Sequence, residues 1–236
     1  MEIYVGISKV NKYAVSESGD TVEVVERPNG GLSVVLADGQ SSGRGAKTVS
    51  TLVVRKVIAL LAEGVRDGAA ARAASDYLYT ERGGKVSSTL NILSVDHQTK
   101  TLVITRNNPA AVILARNEAI QTLDEPSIPI GLYRGTRPII NEIPLEIGLT
   151  AMIFTDGLVH AGDKYGQSMD VPTNLQALLD EEDPPAQSVA DSILEHAIHL
   201  DRGRPVDDIS VVVLRVTGSM GDSIRRMTIR LPLGND

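Results

Sequence analysis

The chain has 236 residues, 42% of them hydrophobic, with one Phe and no Trp, so it can bury a sizeable core built from Val, Ile, Leu and Ala. A formal charge of −7 and so few aromatic rings argue against nucleic acid or an anionic membrane as partner. Cys is absent, which excludes disulfides, thiol nucleophiles and cysteine-held zinc.

The N-terminus lacks a basic segment followed by an apolar block, and no apolar run approaches the roughly 20 residues of a membrane helix, so a soluble, cytoplasmic protein is expected. Period-2 apolar runs in "YVGISKV", "TVEVVE" and "LSVVLAD" predict three strands, with "RPNGG" turning a hairpin between the second and third. From Lys47 the period changes. Val49, Leu52, Val53, Val57, Leu60 and Leu61 recur at three- and four-residue spacing and predict a helix ending near Gly64. A second helix is expected over Ala69–Glu81, before Gly83 and Gly84.

Strands return in "STLNILSVD", "TLVITRN", "AAVILARN", "AIQTLD", "IINEIPL" and "TAMIFTDG", joined mostly by short links suited to an antiparallel meander. A short helix is expected over Asn174–Leu179, then a solvated acidic loop "DEEDPP", then a longer helix in "QSVADSILEHAIHL". "VDDISVVVLRVTG" opens on two acids and becomes a strand, and residues 218–236 form either a tail or an extra edge strand. Helices in two separate blocks around antiparallel strands predict an α+β fold with layers α-β-β-α. No repeat or linker divides the chain, so one domain over 1–236 is expected.

The stretch "SVVLADGQSSGRGAKTVS" has the strand, glycine turn and Lys-Thr order of a phosphate-cradling loop. A Walker A loop would need glycine where Ser41 and Ala46 stand, and a dinucleotide fingerprint would need it at Thr48. Asp38 would also place a carboxylate where such a loop collects anions. An acid at a strand end followed by Gly39 suits a hard cation better, through carboxylate and carbonyl oxygens. "AMIFTDGL" repeats that pattern at Asp156, "PVDDIS" places Asp207 and Asp208 directly before a strand, and Asp20 precedes another. In antiparallel sheets the start of one strand lies beside the end of its neighbour, so these acids can meet at one pole. Residue types and spacing admit either turn and capping roles or a shared metal site. His196 and His199 lack a third ligand and read as surface residues, whereas His160 is a candidate proton donor near the acids.

Taken in order, "LADGQSSGRGA", "STLNILSVD", "RNNPA", "PIGL", "IFTDGLVHAG" and "DDISVVVLRV" resemble the metal-dependent (PPM, type 2C-like) serine/threonine protein phosphatases, in their bacterial SpoIIE-like branch. The resemblance implies an α-β-β-α sandwich with two Mn²⁺ or Mg²⁺ ions at one end. It implies that Asp38 bridges both ions, that the Gly39 carbonyl holds one, and that Asp156 and Asp207 complete the ligands. These three acids would be the catalytic residues. Asp20 would sit close to a metal, and Asp208 would stand behind the ligands. A metal-activated water would hydrolyse phosphoserine or phosphothreonine on a regulatory protein, such as a STAS-domain anti-sigma-factor antagonist or a stressosome component, in bacterial stress or sigma-factor signalling. A non-catalytic binding module on the same fold is the alternative. The chain departs from the usual Asp-Gly-x-Gly at Ser41, which would be strained if φ is positive there. It also has no clear match for the phosphate-gripping Arg of eukaryotic relatives, Arg44 being the nearest.

Overall fold

Apolar runs, alternating in β1 and continuous in β3, produce the first three strands, β1 (Glu2–Val10), β2 (Asp20–Glu26) and β3 (Leu32–Gly39). They belong to a computed structural model that describes residues 1–117, 119–180, 183–218 and 221–232. Helix α1 (Gly43–Ala62) starts a turn earlier than the periodicity indicates, because its opening Gly-Arg-Gly carries no apolar repeat. Helix α2 (Asp67–Arg82) ends at Gly83, whose φ of 60° is the left-handed conformation that stops a helix.

Six strands follow: β4 (Ser88–Asp96), β5 (Thr101–Asn107), β6 (Val112–Arg116), β7 (Ala119–Leu123), β8 (Ile139–Pro144) and β9 (Thr150–Phe154). The apolar run "TAMIFTDG" does not continue as a strand through Gly157; Asp156 begins the short helix α3 (Asp156–Val159). Helix α4 (Val171–Leu179) starts ahead of the expected Asn174, with Asp170 accepting from the Thr173 N–H as its cap and Pro172 in the first turn. Helix α5 (Ala186–Leu200) and strand β10 (Ile209–Thr217) complete the order.

The strands form two five-stranded sheets, β2-β3-β4-β5-β8 and β1-β10-β9-β6-β7, antiparallel at each of their pairings. Strand β3 shows why both its faces are apolar. Val34 and Leu36 point into the layer between the sheets with Leu93, Ile153 and Val212, while Val35 and Ala37 pack against Val53, Val57 and Leu78 of α1 and α2. On the far side Met152, Val211 and Val213 meet Val189, Ile193 and Ala197 of α5. The layers are therefore α-β-β-α. Each large aliphatic side chain fully buried in them contributes roughly 1.5–3 kcal/mol.

Residues 221–232 run without helix or strand, and Arg225 ties them to the first hairpin through Glu26 (3.3 Å) and the Gly30 carbonyl (2.8 Å). The remainder of the expected tail or edge strand (219–220 and 233–236), with Glu118 and the Glu181 and Glu182 of "DEEDPP", lies outside the described residues. Among the described residues no helix is long and apolar enough to cross a membrane.

Candidate metal centre

The antiparallel register sets Asp20, the first residue of β2, opposite Asp38 near the end of β3. Facing like charges are unfavourable on any sheet. Here the cost is greater because Asp20 is 0% exposed. The other sheet delivers its acids to the same pole: Asp156 opens α3 after β9, and Asp207 and Asp208 immediately precede β10.

Asp20 is held across the sheets. Its Oδ2 accepts from the Thr155 hydroxyl (3.0 Å) and the Ser210 hydroxyl (2.6 Å), while Thr155 Oγ1 accepts from the Ser210 N–H (3.0 Å). Its Oδ1 is buried with no hydrogen-bond partner. The Asp20 carbonyl accepts from two ammonium groups, Lys9 at 2.9 Å and Lys47 at 2.8 Å, and Lys47 also donates to Thr21 Oγ1 (2.9 Å). Burial, and then the charge of Lys47, hold Lys9 below the usual lysine range. Lys47, the residue that suggested a phosphate loop, thus anchors the strand bearing Asp20.

Asp38 carries the strongest perturbation. Burial first, then the charges of Asp20 and Asp156, and lastly that of Asp207, push its carboxyl up to about 9. Asp20 is raised, mainly by burial, against the hydrogen bonds from Ser210 and Thr155 and the charge of Lys9. Asp207 is also raised by burial, opposed by the Asp208 N–H and by Lys12. Four acids from two sheets therefore act on one another at one pole.

Asp208 is arranged differently. Its Oδ1 accepts from the Lys12 N–H (2.9 Å) and its Oδ2 from the Gly19 N–H (2.8 Å), so both oxygens clasp the loop before β2. Two glycines permit the close approaches that bring these segments together. A Cβ on Gly39 would collide with the backbone of Ala46 in α1, and one on Gly157 with the Asp208 carbonyl. Below the pole, "RNNPA" supplies Asn108, whose Nδ2 donates to the Phe154 carbonyl at the end of β9 (3.2 Å). The fully buried Arg106 donates to the carbonyls of Asn108 (2.8 Å) and Glu125 (2.5 Å).

Other residues singled out by the sequence lie elsewhere. His160 is exposed, with Nδ1 3.0 Å from Asp163 Oδ2, rather than turned toward the acids. Arg44 is 93% exposed, 4.0 Å from Glu17. Ser41 does take a positive φ, 79°. Sequence reasoning missed Lys9, Thr155 and Ser210; the only signal was that Thr155 and Ser210 adjoin acid-bearing motifs.

Among the described residues no three acidic or histidine side chains are already closed into a coordination shell. The donor set is nevertheless all oxygen, holds a buried carboxylate oxygen at Asp20 with no hydrogen-bond partner, and combines burial with neighbouring acids to push the Asp38 carboxyl up to about 9. A hard divalent cation relieves that repulsion, and Mg²⁺ or Mn²⁺ completes its shell with water, so a few carboxylates suffice. The residues fit such ions.

Comparison with known proteins agrees with this architecture. Stage II sporulation protein E of Bacillus subtilis (strain 168) is 23% identical over 207 residues, 84% of this chain and 24% of that protein, so the chain spans about a quarter of its relative's length. The structure of the PP2C phosphatase domain and a fragment of the regulatory domain of the cell fate determinant SpoIIE from Bacillus subtilis superposes with a TM-score of 0.77 at 20% identity, covering 92% of this chain and 64% of that one. The catalytic domain of the serine/threonine protein phosphatase PstP in complex with two manganese ions superposes with a TM-score of 0.70 at 16% identity, covering 92% of this chain and 99% of that one. The model of the family described as Stage II sporulation protein E (SpoIIE) matches residues 28–217. With most of its length inside that match, the chain belongs to the SpoIIE family.

Proposed function

We propose that the chain is a metal-dependent phosphatase that hydrolyses phosphoserine or phosphothreonine on a regulatory protein. The observation that carries this reading is the convergence of Asp20, Asp38, Asp156 and Asp207 from two sheets, where burial first and then the neighbouring acids push the Asp38 carboxyl up to about 9. Membership of the SpoIIE family and the two manganese ions of the similar PstP structure support it.

Asp38, the Gly39 carbonyl, Asp156 and Asp207 would hold two Mn²⁺ or Mg²⁺ ions, with Asp20 beside them. Such ions, when bound, make water a nucleophile near neutral pH and neutralise phosphate charge. The rest is the work of the chain. Thr155 and Ser210 fix one oxygen of Asp20 and leave the other free within the pole. Lys9 and Lys47 hold the backbone of Asp20 from outside the cluster. Asp208 closes the loop containing Gly19 over β10. With no Cys in the chain, no thiolate can form a covalent phospho-enzyme.

The test is hydrolysis of an aryl phosphate with Mn²⁺. Asp38→Asn and Asp156→Asn should each lower kcat/KM by about 100-fold or more. Wild-type rates in both variants would sink the mechanism. Absence of Mn²⁺ uptake by calorimetry at millimolar metal would leave the fold as a non-catalytic binding module.

A further inference from the structure

The cations of this acidic chain are not evenly spread. Helix α1 carries Arg44, Lys47, Arg55 and Lys56 and no acidic residue along its length, in a protein of net charge −7. Its outer side, together with Tyr77 of α2, lines a shallow groove of about 710 Å³. Lys47 stands at one end, bound to the Asp20 carbonyl and so adjoining the acidic pole. Arg55 and Lys56 stand two turns further along, about 12 Å at 1.5 Å per residue. Lys56 Nζ lies 5.4 Å from the centroid of the Tyr77 ring, and Leu52 supplies an apolar floor between the cations. Among the described residues neither Arg55 nor Lys56 has a carboxylate within ion-pair distance. Among the described residues Glu17 is the one acid lining the groove, and it forms an ion pair with Arg44 at 4.0 Å.

We infer that this groove docks an acidic, extended segment of the phosphoprotein substrate next to its phosphorylated residue, an identity that rests on the phosphatase reading above. Charge complementarity selects the occupant, because unpaired cations beside a pole of acids repel a basic segment and hold an acidic one. The shape fits a strand better than a compact ligand. A stretch of 12 Å accommodates about four extended residues at 3.3 Å each, so acids within roughly that distance of the phosphoresidue reach Arg55 and Lys56, and an apolar side chain between them lies on Leu52 and Tyr77. Specificity then comes from α1, whereas the acids at the pole act on any phosphate monoester.

The experiment compares two fluorescent phosphoserine peptides of equal length, one with Asp and Glu flanks and one with Ser and Ala flanks. Binding is read by anisotropy at low ionic strength, and turnover by phosphate release with Mn²⁺. The wild type should bind the acidic peptide about tenfold more tightly, a difference that shrinks with added salt. Arg55→Glu/Lys56→Glu should remove that preference through KM and leave aryl-phosphate turnover within twofold of wild type. Arg55→Gln/Lys56→Gln should fall between them, and unchanged aryl-phosphate turnover reports that both variants are folded. Equal affinity of the wild type for the two peptides, or equal losses for both peptides in the charge-reversed variant, overturns the proposal. Anisotropy keeps the two readings separable. A wild type that prefers the acidic peptide but never turns over aryl phosphate with Mn²⁺ supports the groove and refutes the phosphatase.

Discussion

The two sheets bring acids to the same pole, where Asp208 is treated in the opposite way to Asp20 and Asp38. The sheet containing β2 and β3 delivers Asp20 and Asp38 in register and leaves charge uncompensated, with an orphaned oxygen on Asp20 and a carboxyl at Asp38 that burial and its neighbours push up to about 9. The sheet containing β10 delivers Asp208 and uses both of its oxygens on backbone N–H groups. Acids of one residue type at one pole therefore have different jobs. One kind stores repulsion that a cation can relieve; the other holds the loop that shapes the pole.

Substitutions should separate the two kinds by sign. Asp208→Ala strips the acceptor from the buried Gly19 N–H and from the Lys12 N–H. Leaving such donors unpaired costs about 1–3 kcal/mol each, so a loss of about 3 kcal/mol is expected from urea unfolding. An unchanged midpoint would show that the clasp is unimportant.

Asp38→Asn should do the reverse in the absence of divalent metal, raising the unfolding midpoint by an amount equivalent to about 1 kcal/mol, because an amide is neutral without having to hold the proton that the buried Asp38 carboxyl must keep. The pH dependence sharpens the contrast. The Asp38 carboxyl is raised in the folded chain, so between its unfolded value of 3.8 and about 9 the folded state retains a proton that the unfolded state has lost. Its stabilising contribution is complete below 3.8 and disappears as pH rises through about 9. The metal-free wild type should therefore lose stability on going from acid toward pH 9, and Asp38→Asn should flatten that slope. Identical slopes in thermal melts would contradict the assignment.

The smallest effect lies in the loop between β3 and α1. Ser41 sits at φ 79°, where a side chain is strained. Ser41→Gly should stabilise the chain by about 1 kcal/mol or less, since the relief is partly offset by the larger backbone freedom of glycine when unfolded. A lower midpoint in that variant would mean that the serine side chain has a role of its own.

Much of the fold was legible because its signals are local. Apolar runs, alternating or continuous, marked β1 to β10, and the three-and-four repeat from Val49 to Leu61 marked α1, since burial on one or both faces imprints itself along the chain. Where burial is absent the signal fails. The first turn of α1 has no apolar residue before Ala46, and the short α3 was hidden in an apolar run ending at Asp156. The acid-glycine pairs at Asp38 and Asp156 were visible for the same local reason. The clasp of Thr155 and Ser210 on Asp20, and the convergence of Lys9 and Lys47 on its carbonyl, were not, because those partners come from distant parts of the chain.

The amino-acid sequence by itself determined the layered α-β-β-α plan, the absence of thiol chemistry, and the placing of acids at strand ends. Only the tertiary structure decided what each acid does. Register set Asp20 against Asp38, the second sheet turned Asp208 toward backbone N–H groups, and packing directed His160 to Asp163 at the surface. The physical reason is that periodicity reports which face of a segment is buried. The state of a carboxylate depends instead on which charges, donors and solvent surround it, and those are chosen by contacts between segments far apart in the chain.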